Sequence, residues 1–476
     1  MFLPNTPYSI LFYFGVLKAG GTVVNYNPLY VDRELTSQIN DSETDIMVTV
    51  DLKMLCEKMN HALHYSNLKK IIVCPFADCL PFPKNLFFPL VKHKDVAKIN
   101  WDDRHLRYKD IIDNDGKPDP VVVDVEEDIA VLQYTGGTTG VPKGAMLTHG
   151  NLVSNAQALR AAWAYTSRDV LIHALPIFHT HGLFVATNVT LFSGASMVFL
   201  PKFDIDRIFE LMTRATVLMG VPTFYVRLLE DDMLNAETTA NMRLFVSGSA
   251  PLLAETHREW RARTGHAILE RYGMTETNMN TSNPYAGERV AGTVGLPLPG
   301  TEVIVTDPET GAERPQGEIG MIEVRGANVF KGYWRMPEKT AAELRANGFF
   351  ITGDLGRIDD RGYVHIVGRG KDLIITGGYN VYPKEVEAEI DEIPGVLESA
   401  VIGIAHKDFG EAVTAIVVPT GRPALTETAI TAALETRLAR FKQPKRVIFV
   451  DQLPRNTMGK VQKNLLRDQF ADMYRR

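Results

Sequence analysis

The sequence predicts an α/β protein: a large amino-terminal domain of mostly parallel sheets with helices, followed by a small α+β carboxyl-terminal domain. Three observations point there. Short β-branched apolar runs alternate with helically spaced segments, the pattern of parallel strands covered by helices. From about Gly292 the composition turns towards Gly and Pro, with short strands at Glu302–Val305 and Glu318–Val324, which reads as a β subdomain over 292–368. Finally, Gly368-Arg369-Gly370-Lys371-Asp372 interrupts a strand at Gly362–Val367, so the predicted domains are 1–368 and 369–476.

Taken in order, residues 8–18 have helical spacing, with Ile10, Phe14 and Leu17 on one face, and stop at Ala19-Gly20-Gly21. Thr22–Val24, Ile46–Val50 and Ile71–Val73 read as strands. Pro81 to Pro120, rich in Pro, Lys and Asp, reads as a surface excursion. A helix at Asn151–Ala164 precedes buried strands at Leu171–Leu175, Met197–Leu200 and Val217–Met219. Phe245–Pro251 repeats the plan of an apolar strand followed by small residues. In open α/β sheets the ligand lies at the carboxyl ends of strands, so these turns are expected to line one crevice. Beyond the Gly/charge cluster come a helix from about Pro383 to Ile390, a strand near Val401–Ile404, a helix at Thr426–Leu438 and a strand at Arg446–Val450.

At 476 residues the chain is too long for one core. With 45% hydrophobic and 23% charged residues, it has the composition of a soluble globular protein. A net charge of −6 gives no basic footprint for nucleic acid and no polybasic membrane patch. The apolar run Ile10–Leu17 is too short to span a bilayer and lacks the basic flank of a signal peptide. Cys56, Cys74 and Cys79 show no paired metal spacing and cannot all pair with one another, which suits a reducing cytoplasm.

The chemistry centres on Tyr134-Thr135-Gly136-Gly137-Thr138-Thr139-Gly140-Val141-Pro142-Lys143-Gly144. Glycines let backbone N–H groups approach an anion, threonines add donors and Lys143 adds a mobile charge, so the string suits phosphate. It is not a Walker loop, because Gly144 and not Ser or Thr follows the lysine. In Phe178-His179-Thr180-His181-Gly182 two histidines lie one residue apart without a third ligand nearby, which favours a polar pocket wall over a metal site. Arg271-Tyr272-Gly273-Met274-Thr275-Glu276 supplies an aromatic for a base and a carboxylate for the Mg²⁺ of a nucleotide; the alternative is a strand-end turn with an exposed acid. Asp354 follows a Thr-Gly turn, a position from which acids accept hydrogen bonds from a ribose. Lys460 follows Gly459 in a loop near the end of the chain, where a solvated lysine is the plain alternative.

Together and in this order, Thr135–Gly144, Tyr272–Glu276, Thr352–Asp354, Gly368–Asp372 and Pro454–Lys460 resemble the adenylate-forming superfamily of acyl-CoA synthetases, non-ribosomal adenylation domains and luciferases, over essentially the whole chain. The resemblance implies that a carboxylate attacks the α-phosphorus of Mg-ATP to give an acyl adenylate and pyrophosphate. The thiol of coenzyme A then displaces AMP. It implies that Thr135, Gly136, Gly137, Thr138, Thr139, Gly140 and Lys143 cradle the outer phosphates, and that Gly248, Ser249, Ala250, Gly273 and Met274 border the nucleotide. Tyr272 would pack on adenine, Thr275 would contact the α-phosphate, and Glu276 would bind Mg²⁺. Asp354 and Arg369 would hold the ribose, and Lys460 would bridge the carboxylate and the α-phosphate. Lys371 would be the hinge that brings Gly377, Gly378, Tyr379 and Asn380 to the site for thioester formation.

Matching positions of the acyl pocket are His179, Thr180, Thr223, Gly248, Arg271, Met279 and Asn280, an unusually polar lining. An arginine at position 271 would be left unpaired by an alkyl tail, whereas a second carboxylate would pair with it; the alternative is that Arg271 points outward or pairs with Glu270. Phe178–Phe184, Glu270–Pro284 and the last third of the chain resemble malonyl-CoA synthetases, including those that accept methylmalonate. The first 150 residues, with Asn25–Tyr30 and Leu132–Gly137, resemble long-chain fatty-acyl-CoA ligases, as a chimera would. Members usually carry further residues before the segment matching Leu3-Pro4-Asn5, so the amino terminus is expected to be shortened. The expected partners are small molecules, namely a dicarboxylic acid, ATP and CoA, together with a lysine acetyltransferase and deacetylase acting on Lys460. The alternatives are a medium- or long-chain fatty-acyl-CoA ligase and a nucleotide-binding but catalytically impaired homologue.

Overall fold

A computed structural model describes residues 1–117, 119–135, 142–377, 379–421, 425–456 and 459–474. The chain divides into two compact units: Met1–Met219 with Met274–Met279 and Ala327–Leu344, and Gly220–Gly273 with Asn280–Gly326 and Arg345–Arg476. Both mix helices and sheets, as the alternating sequence pattern predicts.

In the first unit, Ile46–Val50, Lys70–Cys74 and His105–Arg107 form a parallel sheet. Its core packs Leu35, Ile39, Met47, Val50, Met59 and Ile71. The opening helix, Pro7–Lys18, starts at a proline, which suits a position whose N–H has no helical partner. It buries Tyr8, Ser9 and Tyr13 and not the predicted face of Ile10, Phe14 and Leu17. The helix is apolar on nearly every side, so its spacing could not select the inner face. Pro81–Pro120 is more ordered than expected: it contributes helix Lys84–Val91, strand His105–Arg107 and helix Tyr108–Ile112. A second sheet runs Val23–Asn25, Ile129–Thr135, Lys143–Thr148, Gly332–Tyr333, with the first pair parallel and the others antiparallel. Val170–His173 pairs in parallel with both Ser196–Phe199 and Val217–Gly220.

In the second unit, Leu244–Ser247 and Leu269–Met274 are parallel, with Ser247 opposite Glu270. The predicted β subdomain is an antiparallel sheet in the order Thr301–Thr306, Gly320–Gly326, Phe350–Ile358, Val364–Arg369. Here Thr352-Gly353-Asp354 is not a turn: the strand continues through it, and Gly353 takes φ +74°, a left-handed value that favours glycine. The last sheet is built around Gly410–Pro419, antiparallel to Val396–His406 and parallel to Arg446–Phe449. Sequence reasoning missed that central strand. Its alternate residues serve two cores: Val413, Ala415 and Val417 meet helices Pro383–Asp391 and Glu427–Leu434, while Ile416 and Val418 meet Leu466 of helix Lys463–Gln469. Among the described residues no helix is long and apolar enough to cross a membrane.

Candidate active site

In the first unit, strand Ile129–Thr135 turns back as Lys143–Thr148, with Thr135 opposite Lys143. Gly136, Gly137, Thr138, Thr139 and Gly140 lie outside the described residues, as does Gly378. The hairpin nevertheless fixes where the loop begins and ends. Lys143 Nζ lies 4.4 Å over the Tyr333 ring, 3.4 Å from its hydroxyl and 3.9 Å from Glu343 Oε2. That hydroxyl stands 3.0 Å from Glu276 Oε1 and 2.8 Å from Glu343 Oε2. Having one proton, it donates to one carboxylate at a time. The backbone around Glu276 is buttoned down by Phe330 N, 2.8 Å from the Glu276 carbonyl, and by the Asn328 amide, 2.6 Å from that of Thr277. Tyr333 and Glu343 escaped the sequence analysis; the Gly-Tyr-Trp run at 332–334 is the one local signal, and its partner Glu276 is remote in sequence.

No group of three or more metal-ligating side chains occurs among the described residues. A nucleotide-bound Mg²⁺ needs only one or two carboxylates beside phosphates and water, and Glu276 with Glu343 fits that requirement. Thr275 and Thr180 come together, their hydroxyls 3.3 Å apart. The His179 ring packs on Phe178 at 4.6 Å between centroids, and desolvation lowers its pKa to about 4, so it is neutral at pH 7. Met279 is buried, with its carbonyl accepting from the Asn155 amide at 2.8 Å.

In the second unit the ribose candidates assemble as expected. Tyr272 Oη donates to Asp354 Oδ2 at 2.5 Å, and Arg369 Nε lies 2.7 Å from Asp354 Oδ1. Cross-strand register places Asp354 opposite Arg369, and the Thr352 hydroxyl accepts from Asp354 N at 3.1 Å. A carboxylate has about four lone-pair sites, so Asp354 keeps acceptor capacity for a ligand hydroxyl. Lys460 is exposed by accessible surface, yet its ammonium is crowded enough for desolvation first, and Arg369 second, to lower its pKa to about 8. Two side chains hold the backbone at Gly459 and Lys460: Asn456 Oδ1 accepts from Lys460 N at 3.0 Å, and Arg455 Nη1 donates to the Gly459 carbonyl at 2.5 Å. A Cβ on Gly459 would stand 3.4 Å from Thr223 Oγ1, so this loop runs beside a predicted pocket residue. Lys371 lies in the turn Gly370–Asp372, and Asp372 pairs with Arg467 at 2.8 Å. Gly377, Tyr379 and Asn380 belong to an exposed hairpin in which Tyr379 stacks on Phe441, centroids 4.8 Å apart.

Arg271 is the outlier. It is buried, and among the described residues its Nε and Nη2 have no hydrogen-bond partner and no carboxylate pairs with it. The guanidinium lies across the turn that ends strand Leu244–Ser247. A Cβ on Gly248 would come within 2.3 Å of Arg271 Cζ, so only glycine admits it. The next residue, Ser249, takes φ +72°, strained for a residue with a side chain. Desolvation lowers the Arg271 pKa to about 9, which leaves it charged at neutral pH. The alternative pairing with Glu270 is not formed: adjacent strand residues face opposite ways, and Glu270 Oε1 instead accepts from Leu252 N at 3.0 Å. Nor does Arg271 point outward. Asn280, also buried, completes the predicted pocket residues of this unit.

The "AMP-binding enzyme" family model matches residues 1–334, and that for the "AMP-binding enzyme C-terminal domain" matches 385–460. The chain belongs to the AMP-binding enzyme family. It is accordingly an AMP-forming acid–CoA ligase, with the large amino-terminal and small carboxyl-terminal domains of that family. A long-chain-fatty-acid–CoA ligase of Bacillus subtilis is 37% identical over 481 residues, 99% of this chain and 85% of the relative. A malonate–CoA ligase of Arabidopsis thaliana is 39% identical over 372 residues, 72% of this chain and 60% of the relative. Among solved structures, ATP-bound MatB from Rhodopseudomonas palustris superposes with a TM-score of 0.86 at 54% identity, covering 99% of this chain and 88% of that one.

Proposed function

We propose that this ligase activates malonate, or a short substituted malonate such as methylmalonate, to its CoA thioester. The observation that carries the proposal is the buried Arg271 guanidinium, open at Nε and Nη2, laid over Gly248. An alkyl chain against it would leave a charge desolvated and unpaired, at a cost of several kcal/mol. A second carboxylate offers two parallel hydrogen bonds and removes that cost. The likeness to MatB and to the Arabidopsis malonate–CoA ligase supports this reading. The full-length likeness to long-chain-fatty-acid–CoA ligases favours a second one, a medium- or long-chain acid.

In the proposed first half-reaction the substrate carboxylate attacks the α-phosphorus of ATP. Lys143 and the 135–143 loop hold the outer phosphates, Thr275 contacts the α-phosphate, Tyr272 packs on adenine, and Asp354 and Arg369 orient the ribose. Lys460 neutralises charge that builds between the attacking carboxylate and the phosphate. Mg²⁺, when bound, would offset phosphate charge, with Glu276 as its carboxylate. In the second half, CoA displaces AMP, with Lys371 at the 368/369 domain boundary as hinge and Gly377–Asn380 serving thioester formation. The cysteines are free thiols, and we place the reaction in the cytoplasm. An acetyltransferase acting on Lys460 would remove the charge adenylation needs, and full adenylation by Lys460→Gln would refute that switch.

The test is pyrophosphate release with ATP and CoA, comparing malonate, methylmalonate, octanoate and palmitate. Turnover of the dicarboxylates alone is expected. Alkanoate turnover would transfer the argument to the second reading, and ATP binding without release on any acid would indicate an impaired enzyme.

A further inference from the structure

Residues 81–94 contain Lys84, Lys92 and Lys94 and no acidic residue. Helix Lys84–Val91 rests on the protein through Asn85 and Phe88, the latter against Phe76 with ring centroids 5.3 Å apart. Everything else on it faces out. More than half of the surface of each of Phe82, Leu86, Phe87, Leu90 and Val91 is exposed. A surface helix ordinarily turns its apolar residues inward and its charges to water, so a contiguous outward apolar face is a docking surface in want of a partner.

We propose that this helix is an interfacial anchor for a membrane surface bearing anionic headgroups. Aromatic and aliphatic side chains flanked by lysines suit the boundary between acyl chains and anionic headgroups: the apolar groups enter the boundary while the ammoniums stay at headgroup level. Lys92 has Asp95 at 3.7 Å, but an exposed pair of this kind is weak and leaves the charge available. A second copy of the chain fits less well. Protein interfaces are depleted of lysine, and a two-fold contact through this face would bring like charges together. The overall charge of −6 does not describe this segment, which carries three lysines and no acid. The inference is independent of which acid the enzyme activates.

The experiment is co-sedimentation of the full chain with vesicles of phosphatidylcholine alone and of phosphatidylcholine mixed with phosphatidylglycerol, at low and high salt. Binding to the mixed vesicles, released by salt, is expected. Phe87→Ser with Leu90→Ser, and separately Lys84→Glu with Lys92→Glu and Lys94→Glu, should each lower the bound fraction about tenfold. Pyrophosphate release without vesicles should be unchanged in both, which shows that the variants fold. Wild type remaining in solution with anionic vesicles, or variants bound as well as wild type, would overturn the proposal. So would a dimer in sedimentation velocity without lipid that the Phe87/Leu90 variant abolishes, because the face would then belong to a second copy.

Discussion

Two buried charges in the second unit are treated in opposite ways. Glu323, almost wholly buried, receives both Arg345 Nε and Nη2 at 2.7 Å and the Thr306 hydroxyl at 2.6 Å. Arg271, also buried, finds no acceptor for Nε and Nη2 among the described residues. A fold that merely needed a cation at 271 would have closed its valences as it does at 323, since an uncompensated buried charge opposes stability. Glu323 is thus a charge of the scaffold, whereas Arg271 is the one that the proposed function pairs with a substrate carboxylate.

Substitution at the unpaired charge should have the largest effect. Arg271→Met is expected to lower kcat/KM for malonate about a thousandfold, the scale of losing a buried charge partner, as read by steady-state pyrophosphate release. Gly248→Ala should follow at about a hundredfold, because the added Cβ must push the guanidinium out of place. Its loss is read as a fall in kcat/KM for malonate by steady-state pyrophosphate release.

The closed end predicts the reverse signature. Glu323→Gln should cost about 2 kcal/mol in denaturant unfolding, less than a fully buried pair because Arg345 is partly exposed, with no change in acid preference. Arg271→Met, though inactive on malonate, should stabilise the fold by about 1 kcal/mol by removing an unpaired charge. Lys460 lies between the two cases, accessible but crowded. Because its pKa is lowered to about 8, the ammonium is lost as pH rises through that value. Acid-dependent ATP–pyrophosphate exchange should therefore fall by about tenfold per pH unit above it, and Lys460→Arg should remove that limb of the profile.

Much of this contrast was legible in the sequence. Arg271 stands directly before Tyr-Gly-Met-Thr-Glu, the order of the five motifs carries the family, and the alternation of apolar runs with helical spacing carries the α/β class. What was not legible depends on three-dimensional approach. Nothing local says that Gly248 is glycine to admit a guanidinium from the neighbouring strand, or that Tyr333 joins Glu276 to Glu343. Strand Gly410–Pro419 is a run buried on both faces, which spacing alone cannot distinguish from a buried helix. Thr352-Gly353-Asp354 was read as a turn because a glycine can also kink a strand that continues. The outward apolar helix at 84–91 lies in a stretch whose Pro, Lys and Asp content reads as surface excursion, because Pro89 and the weak periodicity hide a helix of eight residues.

The most direct test of the account is the ratio of kcat/KM for malonate to that for butanoate, measured in wild type and in Arg271→Met. A strong preference for malonate is expected in wild type and should collapse or invert in the variant, since the methionine offers butanoate an apolar wall. A ratio unchanged by the substitution would contradict it, and Arg271 would then be a buried charge without a substrate to explain it.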